Sequence, residues 1–187
     1  MNSGEGMRAT TTTSSSVLPV VNLTSPPDRY QGWGQILLAN VLPQSPQDSL
    51  DLYVADQESL TSFTKRTYYV EVTNSSLPLT VTIVWNDPPN VMWSTKNLLH
   101  DLDLIVFLEG SIDYFYGNNI EGDEFNPCER VKIETPTVGV YEVVVVAHAL
   151  PVYATDDQSY SIVITSHGSV AEERTTIVPV SVKVNQL

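Results

Sequence analysis

From Ser49 onward the chain alternates apolar and polar residues with a period of two, in short runs rich in β-branched and aromatic side chains, separated by Pro, Gly, Asn and Asp. That rhythm belongs to strands, whose successive side chains leave opposite faces. Strands are predicted at Leu50–Val54, Thr67–Thr73, Leu79–Trp85, Leu102–Leu108, Ile112–Tyr116, Arg130–Glu134, Val140–His148 and Tyr160–Thr165. A last run, Thr176–Val184, adds another strand or forms a tail. With turn signals between the runs and almost no helical period, the expected fold is all-β, an antiparallel β-sandwich or jelly roll of about eight strands.

Single strands also indicate which side faces inward. In Thr80-Val81-Thr82-Ile83-Val84-Trp85, one face holds Val81, Ile83 and Trp85 and the other holds Thr80 and Thr82, as in a sheet covered on one side. The run Val143 to Ala147 is apolar on both faces. Such a strand is expected to be central, with its second face covered by a neighbouring domain, the helix or the arm; left open, that face is a partner surface.

Ahead of the strands the rhythm differs. Thr10 to Ser16 are all hydroxyl residues, and Pro19, Pro26 and Pro27 follow, the composition of a flexible arm. Between Gln31 and Leu42, Trp33, Ile36, Leu37, Leu38, Val41 and Leu42 recur at spacings of three and four. A short amphipathic helix over Gly34–Leu42 is therefore expected, stopped by Pro43 and in need of a surface to dock on. The chain divides into residues 1–46 (arm and helix), 47–168 (β-sandwich) and 169–187 (C-terminal strand or tail).

Composition supports a packed body. The 187 residues include 16 aromatics (3 Trp, 9 Tyr, 4 Phe), 42% are hydrophobic, and no apolar run is long enough to span a membrane. The formal charge of −13 opposes association with nucleic acid. Residues 1–46 carry two acids and two bases, so the other 20 acids and 7 bases supply the whole −13. Cys128 stands alone, which rules out an intrachain disulfide and a multi-cysteine metal site. Two sequons, Asn22-Leu-Thr and Asn74-Ser-Ser, permit glycosylation in a secretory compartment, although the N-terminus has no signal-peptide pattern.

Chemistry is sparse. The three histidines, His100, His148 and His167, fall in no nucleophile or zinc motif, so no catalytic triad is recognisable in the chain. Acids are the richer signal. Asp101 and Asp103 lie two apart on a predicted strand, so both carboxylates leave one face, and Ca²⁺, which takes oxygen ligands, suits such a pair. Asp87 and loop oxygens near Asn97 are candidates to complete the shell, and Asn118 and Asp123 belong to a second oxygen-rich segment. The alternative is that these acids cap turns and keep a sheet edge soluble.

Several landmarks in order resemble one family. Arg29-Tyr30-Gln31-Gly32-Trp33-Gly34-Gln35-Ile36 resembles the closing helix of the catalytic domain of subtilisin-like serine proteases, where Gln-Gly-Trp-Gly leads into a short helix. Leu79 to Pro88, reading Leu-Thr-Val-Thr-Ile-Val-Trp-Asn-Asp-Pro, and Asp101-Leu102-Asp103-Leu104 are similar to two strands of the C-terminal β-sandwich of those enzymes. Tyr116-Gly117-Asn118, Glu129-Arg130-Val131 and Gly139-Val140-Tyr141-Glu142-Val143 resemble its later elements. The likeness runs from about Pro27 to Ser166. The family's catalytic Asp, His and Ser lie upstream of Gln-Gly-Trp-Gly, so the resemblance implies a C-terminal part of a subtilase, or a relative that lost its protease domain. His100 replaces the family's Asn before Asp-Leu-Asp-Leu, and Pro127-Cys128 replaces part of its Asn-Asn-Val.

The resemblance implies a noncatalytic accessory β-sandwich that stabilises a subtilisin-like catalytic domain, in cis or in trans, shapes access of protein substrate, and in some members binds calcium. It also implies an extracellular or secretory setting. An independent jelly-roll module for glycans or cell-surface proteins is the alternative, with Trp93, Tyr114 and Tyr116 as its candidate contact residues. A shell-forming jelly roll is a third, which the acidic, arm-bearing chain does little to support.

Overall fold

The computed structural model describes residues 4–5, 30–43, 50–90, 92, 94, 98–148, 150–151 and 157–170. The Thr10–Ser16 tract, the sequon at Asn22, Trp93, Asn97 and the run Thr176–Val184 lie outside the described residues. Among the described residues there are ten strands: β1 Gly4–Glu5, β2 Gln35–Ile36, β3 Leu50–Thr61, β4 Lys65–Val72, β5 Leu79–Trp85, β6 Leu102–Leu108, β7 Tyr114–Tyr116, β8 Cys128–Ile133, β9 Gly139–Ala147 and β10 Asp157–Val170. Every pairing is antiparallel. The fold is all-β, as the alternation implies.

β1 and β2 form a small ribbon, and the remaining strands follow one hydrogen-bonded path, β7-β6-β9-β4-β10-β5-β8, with β3 also on β10. The path bends into two layers, β3-β10-β5-β8 and β4-β9-β6-β7, that nearly close into a barrel-like shape. β10 belongs to both layers. Up to His167 it pairs with β3, and over Tyr160–Thr165 also with β5; from Gly168 to Val170 it pairs with β4. Gly168 makes the transfer with φ +145, and a Cβ there would fall 2.9 Å from the Thr73 amide nitrogen, so only glycine fits the corner.

Between the layers lies one apolar core. β5 contributes Leu79, Val81, Ile83 and Trp85, β9 contributes Tyr141, Val143, Val145 and Ala147, and β6 contributes Leu102, Leu104 and Val106, all buried. Alternate residues along each strand thus point inward, and Val81, Ile83 and Trp85 share the core side as their spacing implies. Three polar side-chain groups inside are satisfied: the Tyr68 and Tyr160 hydroxyls pair at 2.7 Å, and the Trp85 indole donates to the His100 carbonyl at 2.9 Å.

The helix expected over Gly34–Leu42 is corrected. Gln35–Ile36 pair with Gly4–Glu5 as a strand, and only Leu38–Asn40 form a single 3-10 turn, which buries no residue. Gly34, at φ +81, turns the chain before that stretch. With Ile36 and Leu38 left 73% and 60% exposed, two turns of helix gain too little to offset nucleation.

Candidate functional site

The acid-rich segments meet where the two layers come together, between β6 and β8. β6 ends its pairing with β7 at Ile105, which leaves the Leu104 amide without a strand beside it. Glu129 of β8 supplies the partner: its Oε2 accepts the Leu104 N–H at 2.6 Å. On β8 the neighbouring backbone groups are taken by a side chain as well. Asn118 donates from Nδ2 to the Cys128 carbonyl at 3.0 Å and accepts the Arg130 N–H on Oδ1 at 3.1 Å, so one amide occupies the place of a strand residue. Asn118 reaches this position from a 3-10 turn, Gly117–Asn119, in which its own φ is +55. Asn tolerates that left-handed conformation better than most residues.

Gly117 and Glu129 occupy each other's space. A Cβ on residue 117 would lie 2.6 Å from the Glu129 carboxyl carbon, so the carboxyl fits only over a glycine. Glu129 is 1% exposed, and its Oε1 has no hydrogen-bond partner among the described residues. Burial pushes its pKa up to about 9, and the charges of Asp103, Asp123 and Asp101 add to that, while the bond from Leu104 opposes it. At neutral pH the group is therefore a carboxylic acid.

Each acid named from the sequence has an identified place. The Asp87 oxygens accept the Leu99 and His100 amides at 2.9 and 2.7 Å, so this residue caps the segment leading into β6. Asp123 is fully buried and accepts from Asn118 Nδ2 and Asn126 Nδ2, both at 2.7 Å, and from the Phe125 amide at 3.1 Å. Asp103 contacts the His148 Nε2 on the outer side of the sheet. Asp101 and Asp103 approach Glu129 closely enough to act on it; Asp87 is held apart in its own turn. Among the described residues no three or more His, Cys, Asp or Glu side chains are grouped so as to hold a metal ion. His100 is fully buried and bonded through Nδ1 to Gln158 Oε1 at 2.7 Å, so it anchors β10 to the start of β6.

Outside this seam lies a groove of about 700 Å³, within the size range of ligand sites. Its floor is the outer side of β6 and β9, with Ile105, Phe107, Val144 and Val146. Tyr114 and Tyr116 of β7 flank it, and Tyr114 sits edge-on to Phe107 with ring centroids 5.0 Å apart. Asp103, Glu121, Glu129 and Glu142 supply acids, against Lys65 and His148. The described lining residues include no Ser, Thr or Cys; the hydroxyls among them are those of Tyr114 and Tyr116. The Cys128 thiol lies elsewhere, and burial raises its pKa, which Trp33 partly offsets.

Glu129 belongs to the Glu129-Arg130-Val131 element of the resemblance, but neither it nor Lys65 figures among the candidate site residues read from the sequence. A signal for Glu129 exists: period two puts it on the same side of β8 as Val131 and Ile133, a carboxyl at a core-facing position. A strand taken to begin at Arg130 conceals it.

The lead before β3 attaches at the same strand. The Arg130 guanidinium lies 4.9 Å from the Trp33 ring centroid and donates to the Gly4 carbonyl at 3.3 Å. Beyond that anchor Tyr30, Ile36, Leu38 and Leu42 are 60%, 73%, 60% and 45% exposed.

No family model matches the chain. It is 25% identical, over 163 residues and 79% of its length, to the serine protease/ABC transporter B family protein tagA of Dictyostelium discoideum, and it spans 9% of that protein's length. Among solved structures it is similar to the Salmonella Typhimurium periplasmic g-type lysozyme inhibitor PliG (TM-score 0.36, 13% identity, 66% of this chain and 92% of that one). It is also similar to the infectious bursal disease virus VP2 subviral particle (TM-score 0.35, 14% identity, 78% and 42%). No helix among the described residues is long and apolar enough to cross a membrane.

Proposed function

We propose that the chain is a noncatalytic accessory β-domain of a subtilisin-like serine protease, stabilising the catalytic domain and shaping access of protein substrate. The observation that carries this reading is the segment from Tyr30 to Leu42. It is fixed to β8 through Trp33, yet it turns Ile36, Leu37, Leu38 and Leu42 to solvent on a turn that buries nothing. Large apolar side chains clustered in this way mark an interaction surface, and this segment carries the Gln-Gly-Trp-Gly element that resembles the end of a subtilase catalytic domain. The distant relative named as a serine protease supports the same direction. An extracellular or secretory setting belongs to the proposal; the sequon at Asn74 lies in the exposed turn between β4 and β5.

Expression with and without a subtilisin-like catalytic domain tests the reading. The expected result is a complex that survives gel filtration and raises the melting temperature of both parts; no complex and no shift would overturn it. Calcium held by Asp101 and Asp103 is a further proposal within this function. Its removal by EDTA is then expected to lower the melting temperature and excess Ca²⁺ to restore it, by the linkage of ligand to fold. A melt unmoved in both directions rejects the ion.

A further inference from the structure

The outer face of β6 and β9 does not look like the solvent side of a sandwich, where polar residues alternate with the core. β9 presents Glu142, Val144, Val146 and His148 to the groove, and Val144 is buried although it lies outside the core cluster. Ile105 and Phe107 of β6 continue the apolar strip beside it. Around the strip the charge is one-sided, with four acids against one lysine and one histidine, on a chain whose net charge is −13. At the inner end stands Glu129, a buried carboxyl whose Oε1 has no hydrogen-bond partner among the described residues. A buried carboxyl oxygen left unpartnered is costly, and a cationic donor arriving there meets its lone pairs as well as the surrounding acids.

We propose that this groove binds an extended segment of a partner protein in which a Lys or Arg is flanked by apolar side chains. The cationic head meets Glu129 and Asp103, its methylene stem and the flanking side chains lie along Ile105, Phe107, Val144 and Val146, and Glu121 and Glu142 hold further basic groups at the rim. A head alone gains little from an apolar floor, and an apolar segment alone leaves Glu129 Oε1 without a partner, so both parts are required. This face is separate from the Tyr30–Leu42 segment, so the inference stands or falls independently of docking to a catalytic domain; it shares Asp103 with the calcium proposal, so peptide binding is measured in EDTA.

The test uses fluorescence anisotropy with three labelled octapeptides, carrying Leu-Arg-Leu, Leu-Glu-Leu or Ser-Arg-Ser at the centre and Gly and Ser elsewhere. The chain is expected to bind the first saturably and the other two about tenfold or more weakly, since a hydrogen bond to a charged group and the apolar contacts are each worth at least that much. Glu129→Gln keeps an acceptor for the Leu104 amide and puts an amide NH2, a donor that repels a cationic head, in place of the other carboxyl oxygen; Ile105→Lys places a charge on the floor. Each is expected to weaken binding at least several-fold, while Glu134→Gln, at the exposed end beyond β8, leaves it unchanged. Should Ile105→Lys fail to fold, judged by its melt, Glu142→Gln takes its place. Absence of saturable binding, equal binding of the Ser-Arg-Ser peptide, or affinity indifferent to the groove variants would overturn the proposal.

Discussion

A carboxyl at a core-facing strand position has to be neutral or paired, and at Glu129 the fold makes it neutral. The consequence for stability has a definite sign. Below an unfolded-state pKa of 4.5 both states hold the proton; between there and about 9 the unfolded chain releases it while the fold retains it. Stability contributed by the protonated carboxyl is therefore complete below the lower value and is lost as pH rises through that window. Urea melts taken across the window are expected to show this decline, and Glu129→Gln to remove it. Asn118 gives a second expectation at this scale. Its amide holds the Cys128 carbonyl and the Arg130 amide, so Asn118→Ala should cost about 1–3 kcal/mol, read in the same melts, by stranding backbone groups at a half-buried edge. A stability within error of the parent would contradict that role. These residues show how far the sequence informs the site. Asn118 and Asp123 stood out as oxygen-rich, but their use as substitutes for a strand and a turn depends on a meeting of β6 and β8 that no local pattern encodes.

Strands were legible wherever one side is buried. β5 and β6 carry an unbroken alternation, and their limits agree with Leu79–Trp85 and Leu102–Leu108. Burial enforces that agreement: Ile83 is fully enclosed, and Ile83→Ala is expected to cost about 2–5 kcal/mol in a chemical melt through the cavity it leaves. Where pattern weakens, the reading shortens. β3 extends to Thr61 and β10 from Asp157 to Val170, past the ends that alternation suggests, because a register shift between Tyr160 and Ile162 interrupts the period. At that shift Gln57 takes a φ of +58, a local choice that pairing imposes. The helix over Gly34–Leu42 failed for a related reason. Its spacing is that of an amphipathic face, but periodicity records which side is apolar and not whether anything is present to cover it.

At the scale of the whole molecule, the two exposed apolar regions differ in how they are held. In the Tyr30–Leu42 segment Ile36 and Leu38 stand mostly in solvent, so Ile36→Asp with Leu38→Asp is expected to leave the melt of the chain within about 0.5 kcal/mol while abolishing association with a catalytic domain in gel filtration. Loss of the fold in that double variant would show that the segment is part of the core. The acidic total, which opposes association with nucleic acid, resolves into a distribution in which several acids surround one face. The double membership of β10 bears on how the polypeptide reaches its native state. Its partners in β3 lie nearly a hundred residues earlier, as the Ser59–Asp157 bond across 98 positions illustrates, and closing so long a loop is entropically expensive. The strand that joins both layers is also the last described strand to be synthesised. Neither layer is complete on the ribosome until Val170 has emerged, so the sheets can close only late in synthesis, and any product ending before Asp157 lacks the middle of one sheet and the link to the other.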